Sequence, residues 1–267
     1  MNRPSVLLPI AILAAAMPAS RAATIFSDNF DGDGSDLDGA TPDVTTGVNW
    51  VASANFNRNG TTGDGPGSAT LAFTPANGFT YTLDATYGGL SANSGDTDWF
   101  AVGFVNGQSS ASGTNERFIT GNVVGSAWMM ARGDFNLTTN NTFLGTGQLG
   151  SGNYGLGEGG GDNTGQSWSL SPPESTVDLR IVLDTTGGTG NWTATWYAKR
   201  PSDGSYTLVR STESLLTGAT ITAVGLARSN PGVSGTVESF SLVSAVPEPS
   251  TVLLLALAGI PLLRRRR

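Results

Sequence analysis

Asn29, Asp31 and Asp33 place oxygen donors at alternate positions, and Gly34 follows where a sharp turn is needed. That is the spacing of the first half of a calcium-binding loop. The bidentate acid such a loop carries at its twelfth position is missing, because Ala40 stands there. Asp36 is the acid placed to substitute, as in shorter calcium-binding repeats. Asn29, Asp31, Asp33 and Asp36 are therefore the candidate Ca2+ set. The competing reading is a solvated Asp/Gly turn in which each Asp caps its own backbone.

Tryptophan is the second chemical feature. The chain has 6 Trp and only 13% charged residues, and indole faces offer large, flat, amphipathic surfaces on which sugar rings can stack. Trp192 and Trp196 fall on one face of one strand and are expected in the core. Trp99 sits in an apolar run and is expected to be buried. Trp128 and Trp168 are the candidates for exposed, carbohydrate-stacking positions. Other chemistries are excluded by composition. There is no Cys and no His, which removes thiol and Ser–His hydrolysis, the commonest metal ligand and any disulfide.

The elements that must position these groups read as strands. Gly is 37 of 267 residues, with much Thr, Ser and Asn, a composition for short strands and turns. Residues 79–87 alternate with period two: Phe79, Tyr81, Leu83, Ala85 and Tyr87 share one face, Thr80, Thr82, Asp84 and Thr86 the other. Val177, Leu179, Ile181 and Leu183 alternate likewise. Residues 99–105 are apolar on both faces, which predicts a central strand under two layers. Further strands are expected at 24–26, near Trp50, and at 69–73, 126–132, 192–198, 206–210, 221–228 and 236–243. Residues 145–162 are almost without apolar side chains and are expected to be a long loop, functional or mobile. Outside the two termini no helical period is sustained. The expected fold is all-β, a two-sheet antiparallel sandwich over residues 24–245.

The termini differ from the rest. Arg3 precedes an apolar run over residues 6–17, and Ser20-Arg21-Ala22 offers a small-residue cleavage pattern. This reads as a secretory signal peptide, residues 1–22, with a short signal helix. At the other end stand Val246, Pro247, Glu248, Pro249, Ser250 and Thr251, then an apolar run over 252–263, then Arg264, Arg265, Arg266 and Arg267. The prolines hold the chain extended. The apolar run gives a helix of about 20 Å, short of the ~30 Å hydrocarbon core. The arginines stay cytoplasmic and act as the membrane stop. The whole chain has net charge −7, but six arginines and Glu248 lie in these end segments. Between them stand eight basic and twenty acidic residues, a net charge of −12. That excludes nucleic acid and anionic lipid as expected partners of the domain.

Motif, apolar run and basic end at residues 246–267 together resemble the PEP-CTERM sorting tail of exported Gram-negative proteins. The resemblance implies recognition by an exosortase-type membrane transpeptidase. It also implies a transient stay at the inner membrane and delivery to the cell surface or extracellular matrix. The competing reading is a plain C-terminal anchor.

The strand series itself resembles a concanavalin A-like lectin/glucanase jelly roll. The resemblance rests on the Thr-Tyr-Thr-Leu-Asp-Ala, Trp-Phe-Ala-Val-Gly-Phe and Trp-Thr-Ala-Thr-Trp segments and on the closing Val-Glu-Ser-Phe-Ser-Leu. Glycosidases of that class carry Glu-x-Asp-x-x-Glu on one strand, where two carboxylates act as nucleophile and acid. No such cluster occurs here. Glu238 stands alone, Asp178 and Asp184 flank a core strand, and Glu116 and Glu158 fall in expected loops. No catalytic residue is expected. The leading expectation is a sorted, non-catalytic surface or matrix protein without a cofactor. Its alternative is a carbohydrate-binding module, calcium-assisted through the acidic loop and facing extracellular polysaccharide. An unusual glycoside hydrolase stands third.

Overall fold

A computed structural model describes residues 22–53, 56–60, 67–89, 99–105, 127–132, 140–144, 166–171, 174–215, 221–228 and 236–246. Thirteen strands are named in it: β1 (Ala23–Asp28), β2 (Val51–Ala52), β3 (Gly67–Ala72), β4 (Thr80–Gly88), β5 (Trp99–Val105), β6 (Ala127–Arg132) and β7 (Asn140–Leu144), followed by β8 (Gln166–Trp168), β9 (Val177–Asp184), β10 (Thr193–Lys199), β11 (Thr207–Ser214), β12 (Ala223–Arg228) and β13 (Thr236–Ala245). They form two antiparallel sheets. One has six strands in the order β1-β13-β4-β9-β10-β11, the other seven in the order β2-β3-β12-β5-β6-β7-β8.

The six-stranded sheet follows the period-two rule. β4, β9 and β10 alternate buried and half-buried along their lengths. Their inward residues, among them Leu83, Tyr87, Leu179, Ile181 and Trp196, meet Phe100, Val102, Phe104 and Met129 of the other sheet in one core. Two buried aromatic side chains donate hydrogen bonds between the layers. Tyr87 Oη donates to the Ala101 carbonyl at 2.7 Å, and Trp196 Nε1 donates to the Trp128 carbonyl at 3.2 Å. Both satisfy polar tips that burial would otherwise penalise by about 1–3 kcal/mol each. Tyr87 and Phe100 stack with centroids 4.8 Å apart, and Trp50 meets Phe240 edge-on at 5.2 Å.

The seven-stranded sheet is buried on both faces at its centre. β5 lies between β12 and β6, as its two-sided apolar pattern predicts. Ala101, Val105, Trp128, Met130, Ala223 and Ala227 form a second apolar cluster, each at most 2% exposed. They alternate with the main-core residues of the same strands and therefore lie on the opposite face. In the middle of that face Gly103 pairs with Gly225, flanked by Trp128 on β6 and Thr70 on β3. A Cβ at Gly103 would strike the Trp128 Cβ, and one at Gly225 would strike the Ala69 carbonyl. The glycines let these strands lie close.

The strand at β11 is an edge. Its pairing with β10 shifts register twice, between Ala194 and Trp196 and between Trp196 and Tyr197. β7 and β8 are strands that no apolar alternation in the sequence marks. No helix of the described residues is long and apolar enough to cross a membrane. The expected signal helix, the tail residues 247–267 (Pro247, Glu248, Pro249, Ser250, Thr251 and Arg264–Arg267 among them) and the expected loop at 145–162 lie outside the described residues.

Candidate functional site

The acidic loop leaves β1 through Phe30, which adopts φ 55°. It is held by hydrogen bonds to its own carboxylates. Asp33 accepts from the Ser35 amide at 3.0 Å and Asp36 from the Asp38 amide at 3.0 Å, while the Asn29 amide donates to Asp43 at 2.9 Å. These are Asx turns and a loop brace. Gly32 packs on Arg58 and Gly34 faces Asn59, so the loop is seated on residues 57–60. Among the described residues no three His, Cys, Asp or Glu gather as a metal group. No metal group among the described residues includes Asp31, Asp33 or Asp36, and the amides that Asp33 and Asp36 accept from are those of an Asp/Gly turn.

At the root of the loop, Asp28 is 7% exposed. Its carboxylate accepts from Trp50 Nε1 and from the Phe30 amide, both at 2.7 Å. Burial raises its pKa above the ordinary aspartate value, and the two donors oppose that rise. The group anchors the loop to the core.

The sequence reading of the tryptophans needs correction. Trp128 is 1% exposed and Trp168 5%, so neither is a surface stacking platform. Trp128 has outward parity on β6, but that face belongs to the second apolar cluster. Trp168 packs in the main core. Trp192, expected in the core beside Trp196, is only partly buried, whereas Trp196 is wholly buried. Trp192 lies one residue before β10 begins and packs, partly buried, against the main core. The signal that could have found it is the Gly-rich turn immediately before it, Gly187-Gly188-Thr189-Gly190.

The Trp192 indole is held from a neighbouring loop. Its Nε1 donates to Asn77 Oδ1 at 2.9 Å, and Asn77 Nδ2 donates to Thr189 Oγ1 at 2.8 Å. Thr185, fully buried, ties the two loops together. Its hydroxyl lies 2.7 Å from the Ala76 carbonyl, and it accepts from the Phe79 amide at 3.1 Å. The Gly78 amide also donates to the Thr185 carbonyl at 3.1 Å.

The outward face of the six-stranded sheet is polar and internally paired. Arg180 grips Asp84 through Nε at 2.6 Å and Nη2 at 3.0 Å. Lys199 lies 3.1 Å from Asp178, which also accepts from Thr86. The Arg180 guanidinium sits 3.9 Å over the Tyr206 ring. Burial, then the Asp84 charge, pushes the Tyr206 phenol well above its ordinary value. Among the described residues every strand carboxylate belongs to this sheet, on β1, β4, β9, β11 and β13, and no strand of the seven-stranded sheet carries an Asp or Glu.

No family model and no curated protein matches the chain. Among solved structures it is similar to the endo-1,3-beta-glucanase from Streptomyces sioyaensis. The two share 14% identity with a TM-score of 0.53, over 88% of this chain and 100% of that one. The potassium-bound Emp46p carbohydrate recognition domain follows at 10% identity and TM-score 0.48, over 72% of this chain and 87% of that one. Lectin II from Ulex europaeus has 13% identity and TM-score 0.46, over 84% and 98%. The structural neighbours are thus concanavalin A-like lectin/glucanase jelly rolls, and the likeness concerns the fold.

Proposed function

We propose that the chain is a non-catalytic carbohydrate-binding module of an exported protein. The observation that carries this reading is the carboxylate distribution. Two-carboxylate glycoside hydrolysis needs a pair of acids facing one sugar. The strands of the seven-stranded sheet supply none, and Asp84 and Asp178 of the other sheet are committed to Arg180 and Lys199. A jelly roll that holds no such pair on its strands still has loops and faces suited to binding. Similarity to a glucanase supports the fold and no more than the fold. The net charge of −12 between the end segments disfavours acidic polymers.

The test is a panel of soluble polysaccharides presented to the purified protein, with product analysis on each. Retention by at least one glycan without new reducing ends is expected. Sustained release of reducing ends that is abolished by replacing one carboxylate overturns the non-catalytic part. Absence of binding across the panel overturns the whole reading.

Export belongs to the same proposal. Residues 1–22 direct secretion, and the Pro247-Glu248-Pro249 segment is read by an exosortase-type enzyme before the protein reaches the surface. Replacing those three residues by alanine is expected to leave the precursor in the inner-membrane fraction. An intact mass of the released wild-type protein that still includes Arg264–Arg267 overturns the sorting reading.

A further inference from the structure

We infer that the loops at residues 74–79 and 185–192 form a docking site for a neutral glycan, with Trp192 as the stacking platform and Asn77 and Thr189 as its hydroxyl partners. This inference rests on the carbohydrate-binding reading and locates the site within it.

The ring is available. Of the described indole side chains, those of Trp50, Trp128, Trp168 and Trp196 are at most 5% exposed, and Trp192, which packs against the main core, is alone partly exposed. The ring is also fixed. Asn77 Oδ1 takes its N–H, and Asn77 Nδ2 is held in turn near Thr189 Oγ1. A carboxamide nitrogen has two hydrogens and a threonine hydroxyl both donates and accepts. The chain of bonds therefore spends one Asn77 hydrogen and leaves the other, together with the Thr189 hydroxyl hydrogen, to meet a sugar oxygen beside the ring.

The surroundings are open and rigid. A Cβ placed at Gly78, Gly188 or Gly190 would meet nothing within 4 Å. All three adopt positive φ, from 77° to 89°, so glycine makes the turns and their tips stay uncrowded. The buried Thr185 braces both loops, and the Asn191 amide and side chain close the hairpin onto the Gly188 and Gly187 carbonyls at 3.0 and 3.2 Å. Such bracing removes ordering cost at the moment of binding.

The chemistry selects a neutral ligand. Neither loop contains a charged residue. An aromatic face with amide and hydroxyl donors suits the apolar face and equatorial hydroxyls of a pyranose. A phosphate, a sulfate or a uronate would find no cation here.

The experiment is a fluorescence titration of the purified full-length protein with laminarin, dextran and galactomannan, and with alginate as the charged comparison. Wild type is expected to bind a neutral glycan and to disregard alginate. Trp192→Ala should weaken that binding by about tenfold, the loss of one stacking contact, with Trp192→Phe in between. Asn77→Ala should weaken it by about threefold, as expected for a neutral hydrogen bond. Should Trp192→Ala unfold, Asn77→Ala and Thr189→Val still decide the matter. So does acrylamide quenching, which the glycan must suppress in wild type more than in Trp192→Phe. Unchanged affinity in these variants, with wild type binding intact, overturns this site and leaves carbohydrate binding standing. Failure of wild type to bind any neutral glycan overturns both. Preference for alginate overturns the neutral assignment.

Discussion

The two sheets of the sandwich solve the same packing problem from opposite premises. The six-stranded sheet buries one face and pairs charges on the other: Asp84 with Arg180, Asp178 with Lys199. The seven-stranded sheet buries both at its centre, where β12 is buried along its whole length and Gly103 and Gly225 lie paired within the second apolar cluster's face. On the first sheet a residue's parity decides its fate. On the second, parity chooses only between two interiors.

That contrast can be broken most sharply at β4. Leu83 faces the core and Thr82 faces outward. Leu83→Asp should unfold the domain, because it buries an unpaired charge at a cost of several kcal/mol. Thr82→Asp should leave a cooperative transition by circular dichroism, lowered by about 1 kcal/mol or less as for other surface substitutions. Equal losses from the two would mean that the outward face is not outward.

At Gly225 the seven-stranded sheet is predicted to be intolerant of even one methyl group. Gly225→Ala should cost about 1–3 kcal/mol in urea unfolding, the range for overpacking, because the Cβ would run into the Ala69 carbonyl and Thr70. An unchanged midpoint would show that β12 and β3 can move apart freely.

The smallest effect concerns the paired charges. Asp84 and Arg180 are partly exposed, with side chains at 25% and 33%, so solvent screens their attraction. Asp84→Ala should destabilise by about 1 kcal/mol or less, and 1 M salt should shrink the difference from wild type. A larger, salt-independent loss would place the pair in a drier setting than the sheet's outer face.

These expectations also mark what could be read from the chain. The alternation of β4 and β9 is written in Tyr81, Leu83, Val177 and Leu179, and the two-sided burial of β5 in Phe100 to Val105. β7 and β8 were not legible. Asn140-Asn141-Thr142 has no apolar alternation, and Gln166–Trp168 has three residues, too few for a period. Trp128 misled because parity says outward while the second cluster decides what outward means. Trp192 misled in the opposite sense. It shares parity with Trp196 but lies one residue before the strand's first, where period-two reasoning carries no information about cover. The calcium spacing of Asn29, Asp31, Asp33 and Asp36 is real as a pattern, but Asp33 and Asp36 turn to their own backbone amides. Local competition of that kind is invisible to spacing alone.

The edge at β11 has a consequence for how many copies can live side by side. Among the described residues β11 has a strand neighbour on one side only, and a straight border strand of that kind can template filaments. Here the two register shifts against β10 twist the border, so an incoming strand cannot match it residue for residue. Glu213, partly exposed, adds a charge along the same strand. Copies at high concentration would thereby crowd without polymerising through this border.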